Sequence, residues 1–126
     1  MARIDKYDPI SGGFRAPLAA DWAGPLATPV GVGLDANGRV VPGAGSTGVL
    51  AVVVVDGQLS PTGDRTNNKF AGDPVDCMTD GEIVDCTGLA AGTVQNSAAD
   101  GTVSAAAGTR VGHTVEAQRL VVRVAR

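Results

Sequence analysis

The two cysteines are the residues of this sequence with the most distinctive chemistry, because thiols can form a disulfide or ligate a metal. Cys77 and Cys86 lie in the segment CMTDGEIVDC, and the Asp80-Gly81 dipeptide between them is typical of a type I′ hairpin turn. In such a hairpin the two sulfurs are diagonal neighbours with Cα atoms about 7–8 Å apart, too far for an easy bridge. We expect two reduced core thiols, with a disulfide as the alternative.

The other polar residues form no recognisable catalytic or metal-binding set. The single histidine, His113, lies 27 positions after Cys86 on a predicted strand, where a lone histidine is typically structural or exposed. The acids around the predicted hairpin alternate with apolar residues and indicate its solvated face. GSTG lacks the nucleophile-elbow signature, and GVGLDANG lacks the spacing of a dinucleotide-binding loop. The sequence therefore predicts a protein that is not an enzyme, with no catalytic, metal-binding or cofactor-binding residues.

The composition favours an all-β fold in one domain. The 126 residues are 44% hydrophobic and only 3% aromatic, and most of the apolar residues are valine or alanine, which suits a pleated sheet better than packed helices. Short strand patterns are separated by glycine and Asx turns, and no stretch has a convincing helical period. We expect a small β-barrel or β-tulip-like domain with an extended N-terminal arm.

Charge and hydropathy exclude several partners. A net charge of −3 argues against nucleic-acid binding, which requires a basic face. The longest apolar run, VLAVVVV at 49–55, is too short to span a bilayer, and the N-terminal residues lack the apolar core of a signal peptide. We therefore expect a soluble protein made in a cytoplasm, with neither nucleic acid nor a membrane as a partner.

The sequence contains a faint internal repeat. At an offset of 63 positions, Gly38 aligns with Gly101 and Val40 aligns with Val103. Both halves are predicted to run as strand, Asx-Gly hairpin, strand, glycine-rich loop and strand. The repeat predicts two similar β units within one small barrel or sandwich, and the alternative is chance similarity in a chain rich in alanine, glycine and valine.

The N-terminal segment, residues 1–24, is unusual because it holds three of the four aromatic residues within KYDPISGGFRAPLAADW. Its prolines and glycines argue against a regular element, while tyrosine and tryptophan are favoured anchors at interfaces. We expect this arm to bind a partner through Tyr7, Phe14, Arg15 and Trp22. The alternative is that the arm packs on its own sheet and supplies aromatic side chains to a valine-rich core.

Taken in order, several segments resemble the small head decoration, or cement, proteins of tailed bacteriophages, especially phages of actinobacteria. The segments are YDPISGGFRAPLAADW, VGLDANGRVV, STGVLAVVVVDG, AGDPVDCMTDGEIVDC, GLAAGT and RVGHTVEAQRLVVRV. The likeness covers nearly the whole chain and depends on the order of short strands and on phrases such as AGDPVD and DGEIV.

The resemblance implies a role on the outer capsid surface of a virion, with the protein made in the host bacterial cytoplasm. It implies that residues 25–126 form the decoration domain and that residues 1–24 form a capsid-binding arm. The implied partner is the major capsid protein, whose neighbouring subunits would be clamped by a homotrimer at three-fold and quasi-three-fold positions. Another virion component, such as a head-completion or tail protein, and a secreted carbohydrate-binding β-domain remain alternatives.

Overall fold

Strands form where valine-rich stretches are separated by turns, and the computed structural model describes residues 12–84 and 89–124. The strands are β1 Gly13–Pro17, β2 Val30–Leu34, β3 Val40–Pro42, β4 Ala51–Val53, β5 Gln58–Leu59, β6 Arg65–Thr66, β7 Pro74–Met78, β8 Asp80–Val84, β9 Val94–Ser97, β10 Val103–Ser104, β11 Thr109–Thr114 and β12 Arg119–Arg123. The all-β class is therefore confirmed. The described residues include no helix long and apolar enough to cross a membrane.

Ten strands form two five-stranded antiparallel sheets with the same topology. The first sheet has the order β1-β7-β4-β2-β3, and the second has the order β8-β12-β11-β9-β10. When the five strands of each sheet are numbered in chain order, both sheets have the order 1-5-4-2-3. The first strand, β1 or β8, therefore lies at one edge, and the third, β3 or β10, lies at the other. The two-stranded sheet of β5 and β6 is inserted between β4 and β7. The fold is thus a duplication of one five-stranded unit.

The register confirms the predicted repeat. Leu34 pairs with Val40 in the first sheet, and Ser97 pairs with Val103 in the second, which is the same pair shifted by 63 positions. Both hairpins also turn through a glycine with positive φ, 76° at Gly38 and 95° at the equivalent glycine. Glycine adopts this backbone conformation without a steric penalty, so the Asx-Gly dipeptides set the register of both units.

The core has two layers, and β4 contributes to both. Ala51 and Val53 face the first cluster, which lies on the side of the first sheet away from the second sheet, while Val52 faces the second cluster between the two sheets. All three residues of this strand are buried. Burial on both faces explains why the chain has an uninterrupted apolar run here rather than an alternating pattern.

The two sheets stack, and neither closes into a barrel within the described part of the chain. One parallel bridge from Leu18 to Val40 brings the two edges of the first sheet together at one end. The sheets approach closely at Gly31, where an added Cβ would overlap the side chain of Ser97. A residue without a side chain is therefore required at this contact.

The hairpin predicted at Asp80-Gly81 is wrong. β7 and β8 belong to different sheets, because both edges of β7 are already paired with β1 and β4, and β8 pairs with β12 instead. The chain crosses between the sheets at Thr79, whose amide donates to the carbonyl oxygen of Gly12. The Asp-Gly pair lies within a strand, where its local turn preference is overridden by long-range pairing.

Candidate interaction surface

The end of the predicted arm nearest to the domain is part of the first sheet. Gly13–Pro17 forms β1, an edge strand that pairs along its whole length with β7. The expectation that residues 1–24 contain no regular element is therefore wrong for this stretch. Glycine and proline are tolerated in a strand at a sheet edge, and the alternation of Phe14 and Ala16 towards the core supplies the apolar face.

Trp22 lies in the protein's own core rather than on its surface. Only 4% of the residue is exposed, and it packs in the first cluster with Leu18. Its indole Nε1 donates a hydrogen bond to the carbonyl oxygen of Pro25, and its amide donates to the carbonyl oxygen of Lys69. For Trp22, and for the partly buried Phe14, the self-packing alternative describes the structure. Tyr7 lies outside the described residues.

Arg15 is the predicted contact residue that is exposed. Its Nε lies 2.8 Å from Oδ1 of Asp76, which is its register partner on β7. The hydrogen bond and the charge of Arg15 lower the pKa of the Asp76 carboxyl below its ordinary value. A shallow cleft beside the pair is lined by Gly12, Phe14 and Met78. The β1 edge of the first sheet therefore exposes an ion pair beside an apolar cleft.

Cys77 is a free thiol buried in the first cluster. Burial raises the pKa of the thiol to about 11, and the charge of neighbouring Asp76 contributes in the same direction. The thiol is therefore neutral near pH 7 and is neither an activated nucleophile nor a metal ligand. The prediction of a reduced core thiol is confirmed at this position, and Cys86 lies outside the described residues.

Two further polar features of the described residues lie on the second sheet. His113 is exposed on β11, as expected from its isolated position. Among the described residues, no group of three or more histidine, cysteine or acidic side chains could hold a metal ion. Arg119 forms an ion pair with Glu82 across β12 and β8, at 2.6 Å from Nε to Oε1. The opposite charges of these two groups are paired across the strands.

A second surface was missed by the sequence reasoning. The outer face of the second sheet carries three of the exposed large apolar residues, Val84 (64% exposed), Val94 (45%) and Val115 (45%). The segment RLVVRV indicates this surface, because Leu120, Val121 and Val122 are consecutive apolar residues and therefore face both sides of the strand. Apolar residues on both faces of a strand indicate that the second face also has apolar neighbours.

The fold has a counterpart in a solved structure. A chain from Mycobacterium phage Patience superimposes with a TM-score of 0.79, and the match covers 97% of this chain and 95% of that chain at 23% sequence identity. The two chains therefore share one fold over nearly their whole lengths. No protein-family model and no curated protein sequence matches the chain.

Proposed function

We propose that this chain is a structural protein of a bacteriophage virion, and specifically a decoration protein that binds the outside of the head. The observation that carries the proposal is the fold shared with a chain of a mycobacterial phage over 97% of this sequence. It agrees with the resemblance of the sequence to decoration proteins of actinobacterial phages. The absence of enzymatic activity is part of the same proposal.

The proposed partner is the major capsid protein, contacted from the edge of the first sheet. β1 lies at that edge, Arg15 is exposed on it, and residues 1–11, which include Tyr7, directly precede the described chain. A rigid sheet edge next to an aromatic-containing segment is suited to a seam between capsid subunits. In this proposal the clamp consists of residues 1–11 and Arg15, with Trp22 holding the edge in place from the core.

Many weak contacts are sufficient for such a role. Burial of one aromatic side chain contributes about 1.5–3 kcal/mol, and ordering of the contacting segment offsets part of it. A single copy then binds weakly, while copies joined on a shell gain avidity from the fixed spacing of their sites. Three-fold positions on the capsid would hold three copies together and bridge neighbouring capsid subunits against internal pressure.

The test is co-sedimentation of purified protein with undecorated phage capsids. We expect binding at a fixed ratio, saturating with protein concentration, and reduced at least ten-fold in affinity when residues 1–11 are deleted. Arg15→Gln is expected to weaken binding less, and Arg39→Gln, an exposed arginine on the β2–β3 turn, is the matched control. Wild-type protein that does not bind capsids at any concentration would overturn the proposal.

Imaging of the decorated capsids separates decoration from another virion role. Density at three-fold and quasi-three-fold positions over the whole outer surface would support the decoration protein. Density confined to one vertex would instead identify a head-completion component. Normal occupancy after deletion of residues 1–11 would retain the decoration role but overturn the assignment of this segment as the clamp.

A further inference from the structure

The outer face of the second sheet carries exposed valines, whereas the equivalent face of the first sheet is buried. One row of side chains crosses four neighbouring strands of this face, namely Val94, His113, Val121 and Glu82. Val84 and Val115 lie in the adjoining row on either side of Arg119. We call this surface the open face. It comprises the two rows, including Arg119, with Arg110, Arg123 and Asp80 at one end and Glu116 at the other.

The duplication shows what the equivalent surface does in the first sheet. Gly31, Val52 and Met78 form the corresponding row, since they are register partners in the same strand order. Val52 lies in the second core cluster, covered by the second sheet, and the partly buried Met78 packs against that cluster. The same structural surface is therefore covered in one unit and exposed in the other.

The charge of Arg119, in the middle of the open face, is already paired with that of Glu82 within the chain. Nε of Arg119 lies 2.6 Å from a carboxylate oxygen of Glu82, and Nη1 lies 3.7 Å from one of Glu116. An ion pair formed before association reduces the desolvation cost of covering the valines around it, because no isolated charge has to be buried. The centre of the face is thus compatible with burial against another surface.

The two ends of the open face have opposite net charge. At one end, Arg110 and Arg123 outnumber Asp80, the register partner of Arg123, and leave one net positive charge. Towards the other end, Glu116 lies beyond the paired Arg119 and Glu82 and leaves one net negative charge among the described residues. Consider a two-fold axis that lies between two facing sheets and runs perpendicular to their strands. It would place the positive end of one copy on the negative end of the other. Such self-complementarity is what a two-fold interface requires.

We infer that the open face pairs with the same face of a second copy of this chain, forming a two-fold dimer. The valines provide the buried centre and the two charged ends set the orientation. The pairing is independent of the proposed capsid contact at β1, which lies in the other sheet. On a shell it would link copies seated at neighbouring three-fold positions, whereas the three-fold grouping itself would be imposed by the capsid.

The first test is the mass of the free protein by sedimentation velocity over a range of concentrations. We expect a dimer of about 25 kDa, twice the 12.6 kDa chain. Val84→Lys places a charge among the exposed valines of the open face and is expected to weaken dimerisation at least ten-fold without loss of fold. A monomer at all concentrations, or a trimer unaffected by Val84→Lys, would overturn the inference.

Charge reversal tests the orientation. Arg123→Glu and Glu116→Arg should each weaken the dimer, because like charges then meet at both ends of the interface. An equimolar mixture of the two variants should recover dimers, since each end then pairs a glutamate with an arginine. Arg39→Glu, on a turn of the first sheet, controls for net charge. Failure of the mixture to recover dimers would overturn the two-fold arrangement.

The two proposals fail separately. If Val84→Lys abolishes capsid binding by a protein that is monomeric alone, the open face contacts the capsid and the dimer inference is overturned. If the dimer forms but wild-type protein ignores capsids, the proposed function fails and the open face still mediates self-association. Circular dichroism of each variant establishes that the fold is retained.

Discussion

Arg15 and Asp76 face each other across β1 and β7, with 2.8 Å between Nε and Oδ1 and with both side chains largely exposed to solvent. The pair joins the segment expected to be a free arm to a strand 61 positions later in the sequence. It therefore links part of the N-terminal segment to the domain.

This relationship predicts a measurable change in the titration of Asp76. Its pKa is lowered by the hydrogen bond and charge of Arg15, so Arg15→Gln should raise the carboxyl titration midpoint towards the ordinary value, as followed by NMR. A lowered folded-state pKa stabilises the fold above the unfolded pKa. The stability difference between wild type and variant should disappear as pH falls through the folded-state pKa.

Asp100 provides an internal control for that titration. Its pKa is also lowered, but by hydrogen bonds from Thr102 rather than by an arginine. Its titration midpoint should be identical in wild-type protein and in Arg15→Gln. An unchanged Asp76 midpoint in the variant would contradict the ion pair as the cause of the shift.

Trp22 is predicted to contribute to stability rather than to direct partner contact. Because the side chain is buried in the first cluster, Trp22→Ala should lower the free energy of unfolding by about 3–5 kcal/mol, measured by urea denaturation. Phe70→Ala is the matched control, since that aromatic is 51% exposed and should change stability little. A fully stable Trp22→Ala protein that fails to bind capsids would contradict this assignment.

Cys77 is predicted to be unreactive in the folded protein. With its pKa raised to about 11, little thiolate forms at pH 8, and burial blocks access by reagents. Alkylation by iodoacetamide, mapped to the Cys77 peptide by mass spectrometry, should be slow until urea is added. Because the fold favours the neutral thiol, this stabilisation is present below the ordinary value of 9.0 and declines as pH rises through 11. Rapid native alkylation would show that the thiol is accessible.

The contact between the two sheets is predicted to depend on Gly31. Gly31→Ala should destabilise the protein by about 1–3 kcal/mol, because the added Cβ overlaps the Ser97 side chain. The double variant Gly31→Ala with Ser97→Gly should be more stable than the sum of the single changes implies, and Ser97→Gly alone completes the cycle. Additive effects on thermal unfolding would mean that the sheets do not meet at this pair.

The sequence by itself determined the features that depend on local preference. Composition and turn spacing predicted an all-β chain, and the 63-residue offset predicted two similar units, because glycine at positive φ specifies each hairpin whatever lies elsewhere. The lone His113 was correctly placed on an exposed strand position. These properties follow from neighbours within a few residues of one another.

Only the tertiary structure decided which strands pair across long separations. It joined Gly13–Pro17 to β7, placed Trp22 in the core and separated β7 from β8, against the turn preference of Asp80-Gly81. Pairing of distant strands depends on the total burial gained by the whole chain, whereas a turn dipeptide contributes only a local bias. The open face likewise depends on tertiary structure. Stacking of the sheets covers the surface of the first sheet that contains Val52 and leaves the equivalent surface of the second sheet exposed.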